Sequence, residues 1–165
     1  MGNGDEKVGM KTRRLTEGFS LVELLIAMAL IAIVSAFAVP AFQRYADNDN
    51  LKTAAREITG DFFNTRQRAV NENTDDYRLV FDDGGNSYSL TKSGATLWTK
   101  SLADFGSGVH LETGSAAFGS GTAASFHRRG TLSQAGSLTL KNSRGSKAEI
   151  TANLTGRAYV KFTMQ

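Results

Sequence analysis

The chain has 165 residues, no cysteine, one proline and seventeen glycines, with a formal net charge of +3. Lacking cysteine, it can form no disulfide framework, thiolate metal site or thiol nucleophile, so a domain outside the cytoplasm would have to hold together by packing alone. Once the apolar N-terminal region is set aside, about 120 residues remain, which is room for one small domain and not two.

Lys11, Arg13 and Arg14 precede Glu17-Gly18, and Phe19 to Phe42 then reads FSLVELLIAMALIAIVSAFAVPAF. Only Ser20, Glu23 and Ser35 are polar in that run. Its 24 residues form a helix of roughly 36 Å, enough to cross a hydrocarbon core of ~30 Å. The run is too long and too apolar for an ordinary core helix. The basic cluster lies on its N-terminal side, which predicts residues 1–18 in the cytoplasm and everything after Arg44 across the membrane. A secretory signal peptide would have a shorter apolar core followed by a small-x-small cleavage site. Here the candidate processing point precedes the run, between Gly18 and Phe19. Met10 opens a short basic leader, MKTRRLTEG, and is expected to be the initiator rather than Met1.

Glu23 is the anomaly. An unpaired carboxylate costs about 2.5–3.5 kcal/mol at the centre of a membrane helix and less near an end. Either Glu23 snorkels to the interface, or it pairs with a positive charge from another subunit. A new α-amino group at the start of a neighbouring helix would serve, provided the chain is cut to create one.

Leu51, Ala55, Ile58, Phe62, Thr65 and Ala69 recur at spacings of 4, 3, 4, 3 and 4, the stripe of an amphipathic helix. Gly60 interrupts it at a cost of roughly 1 kcal/mol. One helix is expected from about Phe19 to about Asn71, stopped by the polar run Asn71 to Asp76. The period then becomes two. Strands are expected at Tyr77 to Phe81 and Ser87 to Leu90, joined by the turn Asp82 to Asn86. Further candidates are Thr96 to Leu102, Val109 to Glu112, Ala124 to His127, Ser137 to Lys141, Ala148 to Ala152 and Arg157 to Phe162. Gly114 to Ala124 reads as a mobile loop. The predicted architecture is α+β, a long helix whose apolar stripe is wrapped by one antiparallel sheet.

No catalytic constellation emerges. His110 and His127 stand without a motif, and His127 beside Arg128 and Arg129 reads as a surface residue. No HExxH-type spacing exists for zinc. Asp47 to Asn50 and Asp82 to Asn86 invite a calcium reading, but neither continues into a twelve-residue EF loop. The first is expected to solvate the helix and the second to shape a hairpin. No metal or cofactor is expected, and no enzyme.

Charge is unevenly placed. Residues 45–125 hold seven Lys/Arg against eleven Asp/Glu, and residues 126–165 hold seven against one. Either neighbouring strands carry complementary charge, or Arg128, Arg129, Lys141, Arg144, Lys147, Arg157 and Lys161 form a basic face for an anionic partner.

Gly18 to Leu25, GFSLVELL, resembles the class III prepilin signal of type IV pilins and type II secretion pseudopilins. The resemblance implies that prepilin peptidase cleaves after Gly18 and methylates the new amine of Phe19. It also implies that Glu23 neutralises the Phe19 amine of an adjacent protomer during assembly. Pro40 falls where such helices commonly kink or loosen. The order Arg66-Gln67-Arg68-Ala69-Val70, a Tyr88 hairpin, Phe126 to Gly130 and Gly156-Arg157 resembles the type II secretion minor pseudopilin H and FimT-type minor pilins. Major pilins usually close a C-terminal loop with a cysteine pair, and major pseudopilins carry a calcium loop; this chain has neither feature.

The implied organisation is a leader at 1–18, a transmembrane and filament-core helix at 19–42, and a periplasmic pilin-like head at 43–165. The implied partners are other pseudopilins or pilins, the peptidase and N-methyltransferase, an inner-membrane assembly platform and membrane lipid. The implied role is that of a minor pseudopilin in the filament that exports folded proteins across the outer membrane. The alternative is a FimT-type minor pilin of a type IV pilus, some of which bind DNA; Tyr159 stands where a second basic residue would strengthen that comparison.

Overall fold

The computed structural model describes residues 19–106 and 108–165. Lys11, Arg13, Arg14, Gly18 and the choice between Met1 and Met10 lie outside them.

Helix α1 runs Leu21–Asn71, within a residue or two of the expected limits. It passes through Gly60 and through Pro40, which has no N–H and so leaves the carbonyl of Ala36 without its usual partner. The chain divides into two compact units, residues 1–39 and 40–165. In the first, every described side chain is exposed.

In the second unit all six residues of the expected stripe are buried, and Ala54 and Asp61 join them. The helix ends where Asn73 takes a left-handed φ of 49° and Thr74 donates back to the carbonyl of Ala69 at 3.1 Å. A left-handed Asn after a helix is a common terminator, because its short polar side chain tolerates that backbone.

Among the described residues nine strands follow: β1 Tyr77–Asp82, β2 Ser87–Lys92, β3 Ala95–Ser101, β4 His110–Leu111, β5 Ala117–Phe118, β6 Ala123–Ser125, β7 Gly136–Lys141, β8 Lys147–Ala152 and β9 Ala158–Thr163. A short 3-10 turn, Leu102–Phe105, takes Leu102 from the strand expected there. The strands make two antiparallel sheets, not the single one expected. One has the order β3-β2-β1-β6, the other β4-β7-β8-β9, with β5 also pairing β7. Period-two patterning identifies strands and their faces, but not which strands share a sheet. Asn86 ties the two together. Its amide donates to the Val109 carbonyl at 3.0 Å, and its side-chain oxygen accepts from the Leu111 N–H at 2.9 Å.

The expected loop from Gly114 to Ala124 is also corrected, since it contains β5 and the start of β6. Phe118 is buried there, with its ring 5.9 Å from Phe62 and 5.7 Å from Phe81. Two residues between glycines show no periodicity, so only the long-range pairing with β7 makes this a strand. Gly136 permits that pairing, because a Cβ there would lie 2.2 Å from the Ala117 carbonyl oxygen.

Phe62 is the hub of the core. Its ring also meets Phe81 at 6.0 Å and Phe126 at 5.9 Å, so one helix residue touches three strand or loop aromatics. Every buried residue among those described lies between Leu51 and Gly156. A head fragment of residues 45–165 therefore carries the whole core and is expected to fold by itself. In urea melts of that fragment, Phe62→Ala should cost about 3–5 kcal/mol. Phe63→Ala, one position on but 58% exposed, should cost under about 0.5 kcal/mol. Equal losses would contradict the packing just described.

Candidate assembly site

The start of α1 is built by a local hydrogen bond. Ser20 precedes the helix, and its hydroxyl oxygen accepts from the Glu23 backbone N–H at 3.1 Å. This is the Ser half of the Ser-x-x-Glu capping pattern, and it satisfies one N–H group that has no partner inside the helix. Glu23 also sits in the first turn, where the partial positive charge of the helix end favours an anion. The Ser-x-x-Glu spacing in the sequence was the signal for this cap, and because the bond uses the Glu23 backbone the carboxylate itself stays exposed. Both Glu23 and Phe19 are exposed. The best 18-residue window of α1 has a mean hydropathy of 2.6, with none of it buried. An apolar surface of this extent is stable only in lipid or against other helices.

The seven candidate cations do not form one unpaired face. The Arg128 side chain straddles Oδ2 of Asp75, with its Nη2 at 2.9 Å and its Nε at 3.3 Å, while its backbone N–H donates to Oδ1 at 2.6 Å. Arg144 Nε meets Asp47 at 2.6 Å. Lys141 pairs with Glu112, and Lys147 stands 3.8 Å from the same carboxylate. Each pair joins the acidic part of the chain to the basic part, so the uneven charge is largely complementarity within one head. Arg129, Arg157 and Lys161 are exposed, and Lys161 lies opposite Glu149 in the β8–β9 register. His127 is a surface residue 3.5 Å from Asp75.

The two polar runs are both used internally. Asn48 accepts from Asn142 at 2.9 Å and from Ser146 at 2.8 Å, so Asp47 to Asn50 packs on the β7–β8 turn rather than merely solvating the helix. Asp82 accepts from the Gly85 N–H at 3.0 Å, which shapes the hairpin as expected. Among the described residues no three His, Asp or Glu side chains converge on one point.

Two arrangements escaped the sequence reading. Arg66 donates from Nε to the Gly130 carbonyl at 2.8 Å. Gly156, at φ +74°, lies so close that a Cβ would fall 2.2 Å from that same oxygen. Residues 66, 130 and 156 thus form one clasp between the helix end and two turns, although no periodicity links them. The other is a buried acid, Asp61, 6% exposed, which accepts from Tyr88 at 2.7 Å and from Lys100 at 2.8 Å. An acid on an apolar stripe was the available signal. Burial first, and then the bond to Asp61, pushes the Tyr88 hydroxyl well above the usual tyrosine range. Burial works against the Lys100 charge, but its bonds to Asp61 and Glu57 outweigh this and hold its pKa above the ordinary lysine value.

Residues 13–39 match the prokaryotic N-terminal methylation motif. The chain is 32% identical to the type IV major fimbrial protein FimA of Dichelobacter nodosus over 114 residues, 59% of this chain and 71% of that one. It is 27% identical to fimbrial protein Q of Moraxella bovis over 143 residues, 86% of this chain and 88% of that one. Crystal structures of the type IV minor pilin FimU of Pseudomonas aeruginosa superpose with TM-scores of 0.51 and 0.53, both at 18% identity. They cover 67% and 71% of this chain and 92% of theirs, a likeness of fold.

Two outcomes follow from the geometry of the head. Among the described residues four carboxylates lie below their ordinary pKa: Glu72 through bonds from Lys92 and Tyr77, Asp75 through the Arg128 backbone and side chain, Asp76 through Thr74 and Ser93, and Glu112 through Lys141. A depressed carboxylate contributes stability above its unfolded pKa of about 4 and loses it as pH falls through the folded value. The head's melting temperature should therefore fall as pH drops below about 4, and Asp75→Asn should flatten that fall; an unchanged slope would contradict the pairing. Gly156→Ala should destabilise the head by about 1–3 kcal/mol or more, read as a shift in urea midpoint.

Proposed function

We propose that this chain, which belongs to the type IV pilin family, is a minor subunit of a membrane-anchored helical filament. In this reading the leader, residues 1–18, is removed between Gly18 and Phe19, and the new Phe19 amine is methylated. Residues 19–42 then hold the subunit in the inner membrane until extraction, with the head, residues 43–165, on the periplasmic side. The observation that carries the reading is a lone carboxylate, Glu23, in the first turn of an exposed apolar helix inside a methylation motif. An acid in lipid is costly unless paired. The Phe19 amine of an adjacent subunit is the cation that processing would create.

The fimbrial relatives favour a type IV pilus over the secretion pseudopilus that the sequence alone put first. The pseudopilus stays as the second reading, because Arg66, Gly130 and Gly156 are residues of the likeness to minor pseudopilin H and here meet in one clasp. FimT-type minor pilins share that likeness, so the clasp suits either filament. DNA binding has less support, since Arg128, Lys141, Arg144 and Lys147 each face a carboxylate. The proposed partners are other pilin-type subunits, the prepilin peptidase and the assembly platform.

Mass spectrometry of sheared filaments from the native host separates the two filament types by which subunits travel with this chain. Glu23→Ala should remain in the membrane fraction at the normal level but drop at least about tenfold in filaments, the scale expected when a desolvated charge pair is removed. Wild-type incorporation, or an uncleaved N-terminus in assembled material, would refute the reading.

A further inference from the structure

The C-terminal part of α1 borders a groove of about 400 Å³ that the filament role does not use. Its helical wall carries Asn64, Gln67, Arg68 and Asn71, its base Asp61, and its far side Trp98. Positions 64, 67, 68 and 71 share one helical face, so three side-chain amides stand in a row. Each amide offers both a donor and an acceptor and carries no charge.

Asp61 is the informative member. Both of its recorded side-chain bonds, from Tyr88 and Lys100, end on Oδ2. Among the described residues no donor reaches Oδ1, yet no fully buried side-chain oxygen or nitrogen lacks a partner. Oδ1 therefore keeps a window on the groove its residue lines. A nearly buried carboxylate with one oxygen fixed and the other open is a pre-positioned acceptor, which a ligand hydroxyl can take in place of water. Lys100 offsets its charge, and Arg68 is the one further ionic group on the wall.

Trp98 is held in place. Lys100 Nζ lies 4.9 Å from its ring centre and Tyr88 meets it edge-on at 5.7 Å. The half-buried indole lines the groove. A fixed aromatic plate beside convergent, mostly uncharged donors and acceptors fits a ligand with an apolar C–H face and many hydroxyls.

We propose that this groove binds a neutral saccharide unit, with a hydroxyl donating to Asp61 Oδ1, the amides of Asn64 and Gln67 bonding further hydroxyls, and the sugar face resting on Trp98. The site is independent of the filament assignment. It needs only the head, which contains every buried residue among those described.

Trp98 is the chain's one tryptophan, so the fluorescence of the 45–165 fragment reports on this groove. The fragment is titrated at millimolar concentrations with glucose, galactose, mannose and N-acetylglucosamine, with glycerol as a polyol control. At least one sugar should give a saturable emission change that glycerol does not, and should shift the Asn64 and Gln67 side-chain amide NMR signals. Asn64→Ala with Gln67→Ala, both exposed helix positions, should weaken that binding about tenfold, the loss expected for two hydrogen bonds. The near-ultraviolet circular dichroism of Trp98 should stay unchanged in that variant. The proposal is overturned if no sugar saturates beyond glycerol, or if the double variant binds as tightly as the parent. A response to a Gly-Ser-Gly-Ser peptide alone, with none to the sugars, overturns it too.

Discussion

One helix has to satisfy two solvents. From Leu21 to Val39 every side chain of α1 is exposed and nearly all are apolar, which water does not tolerate over such a length. From Leu51 onward the same helix buries one stripe, which the two sheets cover, and leaves a mostly polar face outward with Phe63 and Val70 as exposed exceptions. The first requirement fixes a lipid or helix-bundle environment, and the second fixes a folded head. The remaining features serve one demand or the other: the N-cap at Ser20, the acid at Glu23, the aromatic hub at Phe62 and the ion pairs that join head segments.

Legibility in the sequence followed the range of the forces involved. The stripe from Leu51 to Ala69 was visible because helical periodicity is local. The alternating strands, such as Tyr77-Leu79-Phe81, were visible for the same reason. The division into two sheets was not, since partner choice depends on contacts between distant segments such as β7 with both β4 and β5. Phe118 was missed because its burial comes from rings at 62 and 81, not from its neighbours. The proposed assembly residues, Phe19 and Glu23, come from a motif that is contiguous in sequence. The clasp of Arg66 with Gly130 and Gly156 was present only as scattered letters, until folding brought a guanidinium and two glycine turns to one carbonyl.

The charge pattern shows how a composition signal can mislead. A block of seven Lys/Arg against one acid suggests a surface for an external anion. The geometry supplies internal anions instead, because Asp47, Asp75 and Glu112 come from the acidic part of the chain. Such exposed pairs add little stability individually. They do favour one arrangement of the strands over others, because a misregistered fold would set like charges together.

Asn86 links the first hairpin to β4 through a single amide, donating on one side and accepting on the other. Exchanging that amide for a carboxylate, as in Asn86→Asp, would change a single atom. The donor to the Val109 carbonyl would become a second acceptor, and two oxygens would then face each other where a hydrogen had held them together. So small an exchange at position 86 would loosen the seam between the two sheets.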